Sequence, residues 1–145
     1  MITLIQRVLN AKVVVDDQTV GEIRKGILAL VGVCKNDTEA DAKRIAQRIT
    51  SYRIFEDKQG KMNLSLSDIK GELLLVPQFT LPADTRKGTR PSFTPAAPPS
   101  EGERLFNFLV DELSQSYGSV ATGQFGADMK VHLINDGPVT FWLES

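Results

Sequence analysis

The sequence predicts an α+β fold in which antiparallel β-sheets carry two packed helices. Three observations predict it. The opening third is a series of β-branched, apolar stretches separated by short turn signals. Two segments further on show apolar residues at helical spacing. Each of those segments begins with a capping signal.

Residues 2–9 read as a strand interrupted at Arg7, and 12–15 as a β-branched strand pairing nearby. Asp16-Asp17-Gln18 marks a turn, after which 19–23 returns. Lys25-Gly26 leads into the apolar run 27–33, long enough for a buried strand. Thr38 then opens a helix placed at 38–52, with Asp41 at the reciprocal capping position. Ala42, Ile45, Ile49 and Tyr52 fall on one face, and Lys43, Arg44, Gln47 and Arg48 on the other. Asp57-Lys58-Gln59-Gly60 is a turn. Residues 72–76 form a second buried strand ending at Pro77.

Residues 82–99 hold five prolines together with Arg86, Lys87 and Arg90. Proline at that density removes ladder donors and blocks helix, and loops this long in compact domains are usually functional or disordered; a linker is disfavoured because too little chain follows for a second domain. Ser100-Glu101-Gly102-Glu103 is a capping-box pattern. The following helix puts Leu105, Leu109 and Leu113 on one face and ends near Tyr117-Gly118. Residues 120–125, 129–134 and 139–143 are closing strands, with Asn135-Asp136-Gly137-Pro138 separating the last two. There is no internal repeat, and residues 1–145 read as a single domain.

Composition narrows the chemistry. The 145 residues are 41% hydrophobic and 24% charged, with formal charge −1. That balance suits an ordinary globular chain and argues against bulk electrostatic binding of nucleic acid, though not against a local basic patch. One Cys (Cys34) permits no intrachain disulfide, and one His (His132) with one Cys cannot assemble a conventional zinc site, so no metal or cofactor is expected. The first residues are too polar for a signal peptide and no apolar run reaches a membrane span, which points to the cytosol.

His132 alternates with Val131 and Leu133 and reads first as a sheet-face residue. Cys34 reads as a small core hydrophobe. Gly137-Pro138 is a turn that could instead present rigid backbone carbonyls, and its X-Pro bond could be cis. Gln78-Phe79-Thr80 leaves a buried strand for the proline-rich loop, a common place for a site. Thr80 lacks a neighbouring base in sequence, so it reads as a hydrogen-bonding group rather than a nucleophile. Arg86, Lys87 and Arg90 are either a solvated loop or phosphate contacts.

Taken in order, these segments resemble the D-aminoacyl-tRNA deacylase (D-tyrosyl-tRNA deacylase) family. The residues that carry the resemblance are Leu4-Ile5-Gln6-Arg7-Val8, Tyr52-Arg53-Ile54-Phe55, Gly60-Lys61-Met62-Asn63, Gln78-Phe79-Thr80-Leu81, RKGTRPSF at 86–93, GQFGADM at 123–129 and NDGPVTFW at 135–142. The resemblance implies a homodimer whose antiparallel β core is barrel-like, with two main helices outside. It implies hydrolysis of the ester joining a D-amino acid to the 3′ end of tRNA, in translation quality control. Glycyl-tRNA mischarged on tRNA(Ala) is implied as a further substrate. Gly137 and Pro138 would form a cis pair that enters the partner's site and rejects L-aminoacyl esters, held in orientation by Arg7. Gln78, Phe79 and Thr80 would line the catalytic pocket. Phe125 and Met129 fall in the motif near the terminal adenosine, and Arg86, Lys87 and Arg90 are candidates for contact with the tRNA end. With no metal expected, the ribose hydroxyl beside the ester could activate water while the protein supplies orientation and backbone donors. Two positions depart from the family pattern. Pro77 replaces the serine that usually begins the Gln-Phe-Thr motif, a proline otherwise typical of a related animal deacylase with altered chirality. Gly102 stands where alanine is expected, which could loosen the helix and open the neighbouring pocket.

Overall fold

The computed structural model describes residues 1–145. The chain opens with β1 (Ile2–Val15), a 14-residue strand, and turns back through β2 (Gln18–Ile23) and β3 (Gly26–Gly32). Both return strands pair antiparallel with β1 along one edge, β3 with its first half and β2 with its second. The two strands expected at 2–9 and 12–15 are therefore one. The exposed Leu9-Asn10 step is absorbed by register shifts toward the other neighbour rather than by a break.

Helix α1 (Glu39–Ser51) matches its sequence signals closely. The Thr38 N–H and hydroxyl both donate to Asp41 Oδ2, at 2.8 and 2.9 Å, fixing the first turn. Ala42, Ile45, Ala46 and Ile49 are buried, whereas Tyr52 lies past the end and is partly exposed beside Phe141. A small hairpin, β4 (Phe55–Glu56) and β5 (Met62–Leu64), follows, closed by Asp57 Oδ1, which accepts from the N–H groups of Gln59 and Lys61. The short α2 (Leu66–Ile69), capped by Ser65 and Asp68, has too few residues to show a period and was not expected.

Strand β6 (Glu72–Pro77) pairs parallel with β3, and β7 (Val120–Thr122) pairs parallel with β6. The wholly antiparallel arrangement expected from the sequence is thus corrected to a mixed sheet. The reason is the crossover through α1, which returns the chain to the same end of the sheet. The sheet curls until β2 meets β7: a Cβ on Gly21 would stand 2.4 Å from the Thr122 carbonyl oxygen, so only a glycine permits this closure. The result is a nearly closed barrel. Its interior holds Val8, Val13, Leu28, Leu74 and Val76, while Ile27, Ala29, Leu73 and Leu75, alternating with them, face the helices. Both strands are buried on two faces, which is why they read as continuous apolar runs.

Helix α3 (Pro99–Ser116) packs beside α1 over that outer face through Leu105, Phe106, Leu109 and Leu113. The expected capping box at 100–103 is not formed. Pro98 is the N-cap residue and Pro99 takes the first helical position, where its fixed φ fits and no N–H is required. Ser100 is thereby placed inside the first turn. Glu101 pairs with Arg104, which also reaches Glu39 of α1.

The last strand, β8 (Lys130–Glu144), pairs antiparallel with the free edge of β1. The two strands expected at 129–134 and 139–143 are continuous, but the register jumps. Gln6 faces Thr140 and Val8 faces Asn135, so 136–139 bulge outward opposite Arg7 alone. The strand expected at 120–125 stops at Thr122. No helix is long and apolar enough to cross a membrane.

Candidate functional site

A cavity of about 270 Å³ opens at the carboxyl ends of the parallel strands β3 and β6. Val31 and Val33 form one wall and Pro77, Gln78 and Phe79 the next. Pro99, Gly102 and Phe106 of α3 close a third side, and Phe125 and Gly126 the fourth. Phe106 and Phe125 sit with ring centroids 6.4 Å apart. A Cβ on Gly102 would meet Phe125 Cζ at 3.4 Å, so this glycine widens the cavity by the volume of a side chain.

The chain leaves β6 at Pro77, where a missing N–H costs least because the ladder ends. The Gln78 N–H still donates to Val31 at 2.7 Å. Gln78 Nε2 donates to Thr80 Oγ1 at 2.5 Å, and no imidazole or carboxylate touches that hydroxyl. A turn follows, in which Leu81 N–H donates to the Gln78 carbonyl. The Phe79 and Thr80 N–H groups make no hydrogen bond within the chain. Both are free donors in a turn beside the apolar cavity, which Phe79 lines and Thr80 does not.

The other predicted residues divide. Phe125 lines the cavity. Met129 does not: its sulfur lies 2.8 Å from where a Gly123 Cβ would be and accepts from the Gln124 N–H at 3.4 Å, so it packs the barrel instead. Arg86 grips Asp84 through Nε and Nη2 at 2.9 and 2.8 Å, which holds the Asp84 carboxyl well below the usual carboxylate range. Its charge is matched, while Lys87 and Arg90 are exposed in the same loop and unpaired. The loop itself is ordered by an Asp84–Ser92 bridge.

Arg7, Gly137 and Pro138 form a second constellation that contributes nothing to the cavity of its own chain. Arg7 is 6% exposed. Its Nε donates to the Asp136 carbonyl at 2.9 Å and its Nη1 to the Ile54 carbonyl at 2.8 Å, with Asp136 Oδ2 3.6 Å away. The Gly137–Pro138 bond is cis, and both residues are exposed on the bulge. Gly137 takes φ +145°, a conformation other residues rarely adopt. The base of the bulge is tied by Asn135, whose Oδ1 accepts from the Val139 N–H at 2.7 Å and whose Nδ2 donates to Thr140 Oγ1 at 2.9 Å. Gly102 lines the cavity, in keeping with the expectation that its departure from alanine opens the neighbouring pocket. Asn135 and Phe106 are the structurally prominent residues to which the sequence assigns no individual site role.

His132 is exposed on β8 opposite Lys12, away from the cavity. Replacing it with alanine is therefore expected to leave kcat/KM within about threefold of the parent, since no step can lose a general base it never touched. A hundredfold loss in a folded variant would contradict this placement. Cys34 is half-buried rather than in the core, and burial pushes its thiol up. No group of three or more His, Cys, Asp or Glu side chains converges as a metal-binding set.

A family model described as D-Tyr-tRNA(Tyr) deacylase matches residues 4–144. A D-aminoacyl-tRNA deacylase of Thioalkalivibrio sulfidiphilus is 63% identical over 144 residues, covering 99% of this chain and 97% of the relative. One from Vibrio cholerae is 57% identical over the full length of both chains. Among solved structures, a c-Myc DNA Unwinding Element Binding Protein superposes with a TM-score of 0.95 at 38% identity, covering 100% of this chain and 99% of that one. A chain described as "a probable eukaryotic D-amino acid tRNA deacylase" superposes at 0.89 over 99% of this chain and 98% of its own, with 16% identity, and shares the fold.

Proposed function

Since the chain belongs to the D-Tyr-tRNA(Tyr) deacylase family, we propose that its cavity receives the aminoacylated 3′ end of tRNA and that water cleaves the ester there. The protein is a D-aminoacyl-tRNA deacylase, a hydrolase of aminoacyl-tRNA esters. The observation that carries the mechanistic reading is the pair of unengaged N–H groups of Phe79 and Thr80 in the turn beside the cavity, which Phe79 lines.

Attack of water on the ester carbonyl places negative charge on its oxygen. The two N–H groups receive that charge, each donor of this kind being worth roughly 10²–10³ in rate. The ribose hydroxyl beside the ester accepts the proton of water as it passes its own proton to the departing ribose oxygen, so the ester bond breaks to give free amino acid and tRNA. Gln78 holds Thr80 Oγ1, so Thr80 positions the turn and binds substrate rather than attacking it. Phe125 packs against the terminal adenosine, and Lys87 and Arg90 meet phosphate. Arg86, already paired with Asp84, adds little beyond shaping the loop. Met129 supports this wall from behind. The work belongs to the cytoplasm, where charged tRNA is used.

Chirality is assigned to the bulge. In a homodimer, Gly137 and Pro138 of each protomer enter the partner's cavity, and their carbonyl oxygens occupy the space an L-side chain would need. Arg7 fixes their orientation through Asp136. Glycine has no side chain for those oxygens to reject, so glycyl-tRNA, including that mischarged on tRNA(Ala), is also a substrate. Pro77 favours a second reading, an enzyme acting mainly on glycyl or L-alanyl esters. Phe79 and the intact 135–140 segment weigh against it.

Matched D- and L-tyrosyl-tRNA test the assignment. The D-ester is expected to be cleaved at least about 100-fold faster, the range a steric and polar rejection can supply. Equal rates, or no cleavage of either, overturn it, and faster cleavage of L-alanyl-tRNA installs the second reading.

A further inference from the structure

A second cleft of about 390 Å³ lies beside the cavity and shares Phe79, Ala97 and Pro99 with it. These three residues are the wall common to both. The far side is built from Phe93, Thr94 and Lys35. Phe79 and Phe93 are 61% and 44% exposed, and their rings lie 5.3 Å apart at 49°. Neither ring belongs to either hydrophobic core. Packing therefore does not explain why two large aromatic side chains stand in solvent beside the site.

The cleft is preformed. Its walls are stapled by backbone: the Lys35 N–H donates to Pro95 at 2.8 Å, the Ala97 N–H donates to Val33 at 3.0 Å, and Cys34 bridges Ala96. Lys35 is exposed and has no acidic partner. Exposed aromatic faces next to an unpaired cation are how proteins hold single-stranded nucleic acid, the base stacking on the ring and the cation meeting phosphate. The two rings already touch, so a base has room against an outer face and not between them.

We infer that this cleft is the subsite for the nucleotide preceding the terminal adenosine, its base stacked on Phe93 and its phosphate turned toward Lys35. The inference rests on the reading that the first cavity takes the terminal aminoacyl-adenosine, because continuity through Phe79 is what places the neighbouring nucleotide here. Stacking of this type is blind to base identity, so the subsite adds affinity for a single-stranded RNA end without reading sequence.

Two substrates separate this subsite from the cavity: D-tyrosyl-tRNA, which reaches both, and 2′(3′)-O-D-tyrosyl-adenosine, which reaches only the first. Phe93→Ala is expected to raise KM for the tRNA roughly 5- to 100-fold with kcat little changed, the range alanine substitution at a stacked base gives. Its kcat/KM on the adenosine ester should stay within about twofold of the parent. Phe93→Trp should restore the tRNA KM. An equal loss on both substrates, or no loss on the tRNA, overturns the subsite. So does a change in sedimentation in place of a change in KM, which would make the aromatic pair a contact between protomers. If the unaltered enzyme cleaves neither ester, the proposed function fails separately, and binding decides the subsite. An RNA hairpin with a single-stranded 3′ end and 2-aminopurine in the penultimate position should then lose fluorescence with the parent protein and not with Phe93→Ala. No quenching by the parent protein overturns the subsite.

Discussion

Arg7→Ala is expected to cost the enzyme its chiral discrimination before it costs its fold. The guanidinium spans two carbonyl oxygens, at Ile54 and Asp136, from a buried position. Alanine leaves both acceptors without a donor, a loss of roughly 1–3 kcal/mol. A domain of ordinary stability survives that. The bulge at 136–139, however, is opposed by no other residue of β1, so it loses the anchor that sets where Gly137 and Pro138 point. One charge-assisted contact of this kind corresponds to roughly a 10- to 100-fold change in the D-to-L ratio of kcat/KM. Parallel measurement of D- and L-tyrosyl-tRNA hydrolysis and of the urea midpoint separates the two effects. Unchanged discrimination in a folded variant refutes the role of Arg7. Arg7→Lys should lie between the two, because an ammonium cannot hold both oxygens in the geometry of a fork.

Gly102→Leu is expected to abolish hydrolysis. The Cβ position already stands 3.4 Å from Phe125 Cζ, so the rest of a leucine side chain has only the cavity to enter. Displacing an ester by an ångström costs on the order of 100-fold in rate, and loss of kcat/KM should reach at least that. Leucine is a good helix former, so α3 is retained and circular dichroism should show it. Gly102→Ala is the companion variant: an added methyl at ordinary contact distance, in a helix that gains about 1 kcal/mol. It should unfold at higher urea and keep activity within a few-fold. Full activity in Gly102→Leu would show that the cavity is not the substrate site.

How much of this was legible beforehand depends on the range of the forces involved. Helix α1 was read to within a residue because its signals are local: a capping pair at Thr38 and Asp41 and an apolar face at three- and four-residue spacing. The parallel pairing of β3 and β6 was not read, although apolar runs on either side of a helix carry that information. Strand continuity failed at 9–10 and 135–138 for one reason. A bulge is tolerated only because the partner strand supplies the compensating register, and a single strand's residues do not show that. At the cavity, Gln78 and Phe79 are legible as the end of a buried strand feeding a long loop, and Phe125 through resemblance in a sequence motif. Gly102 is legible only as a departure that opens a neighbouring pocket, whereas the wall it shares with Phe106 depends on how α3 lies across the sheet, and that is a packing outcome. Met129, which the resemblance groups with Phe125, packs against the barrel, and its sulfur accepts from the Gln124 N–H.

The bulge has one more consequence, for solubility. β8 pairs with β1 along one edge and with nothing along the other. A 15-residue strand with an open edge and outward apolar side chains at Ile134, Phe141 and Trp142 is a template on which another chain could add a strand and begin to aggregate. The excursion at 136–139 divides that edge into two short pieces, and Pro138, lacking an N–H, withholds a donor where a new ladder would need one. A chain that straightened this segment would gain a flat, continuous edge and lose its protection against open-ended strand addition.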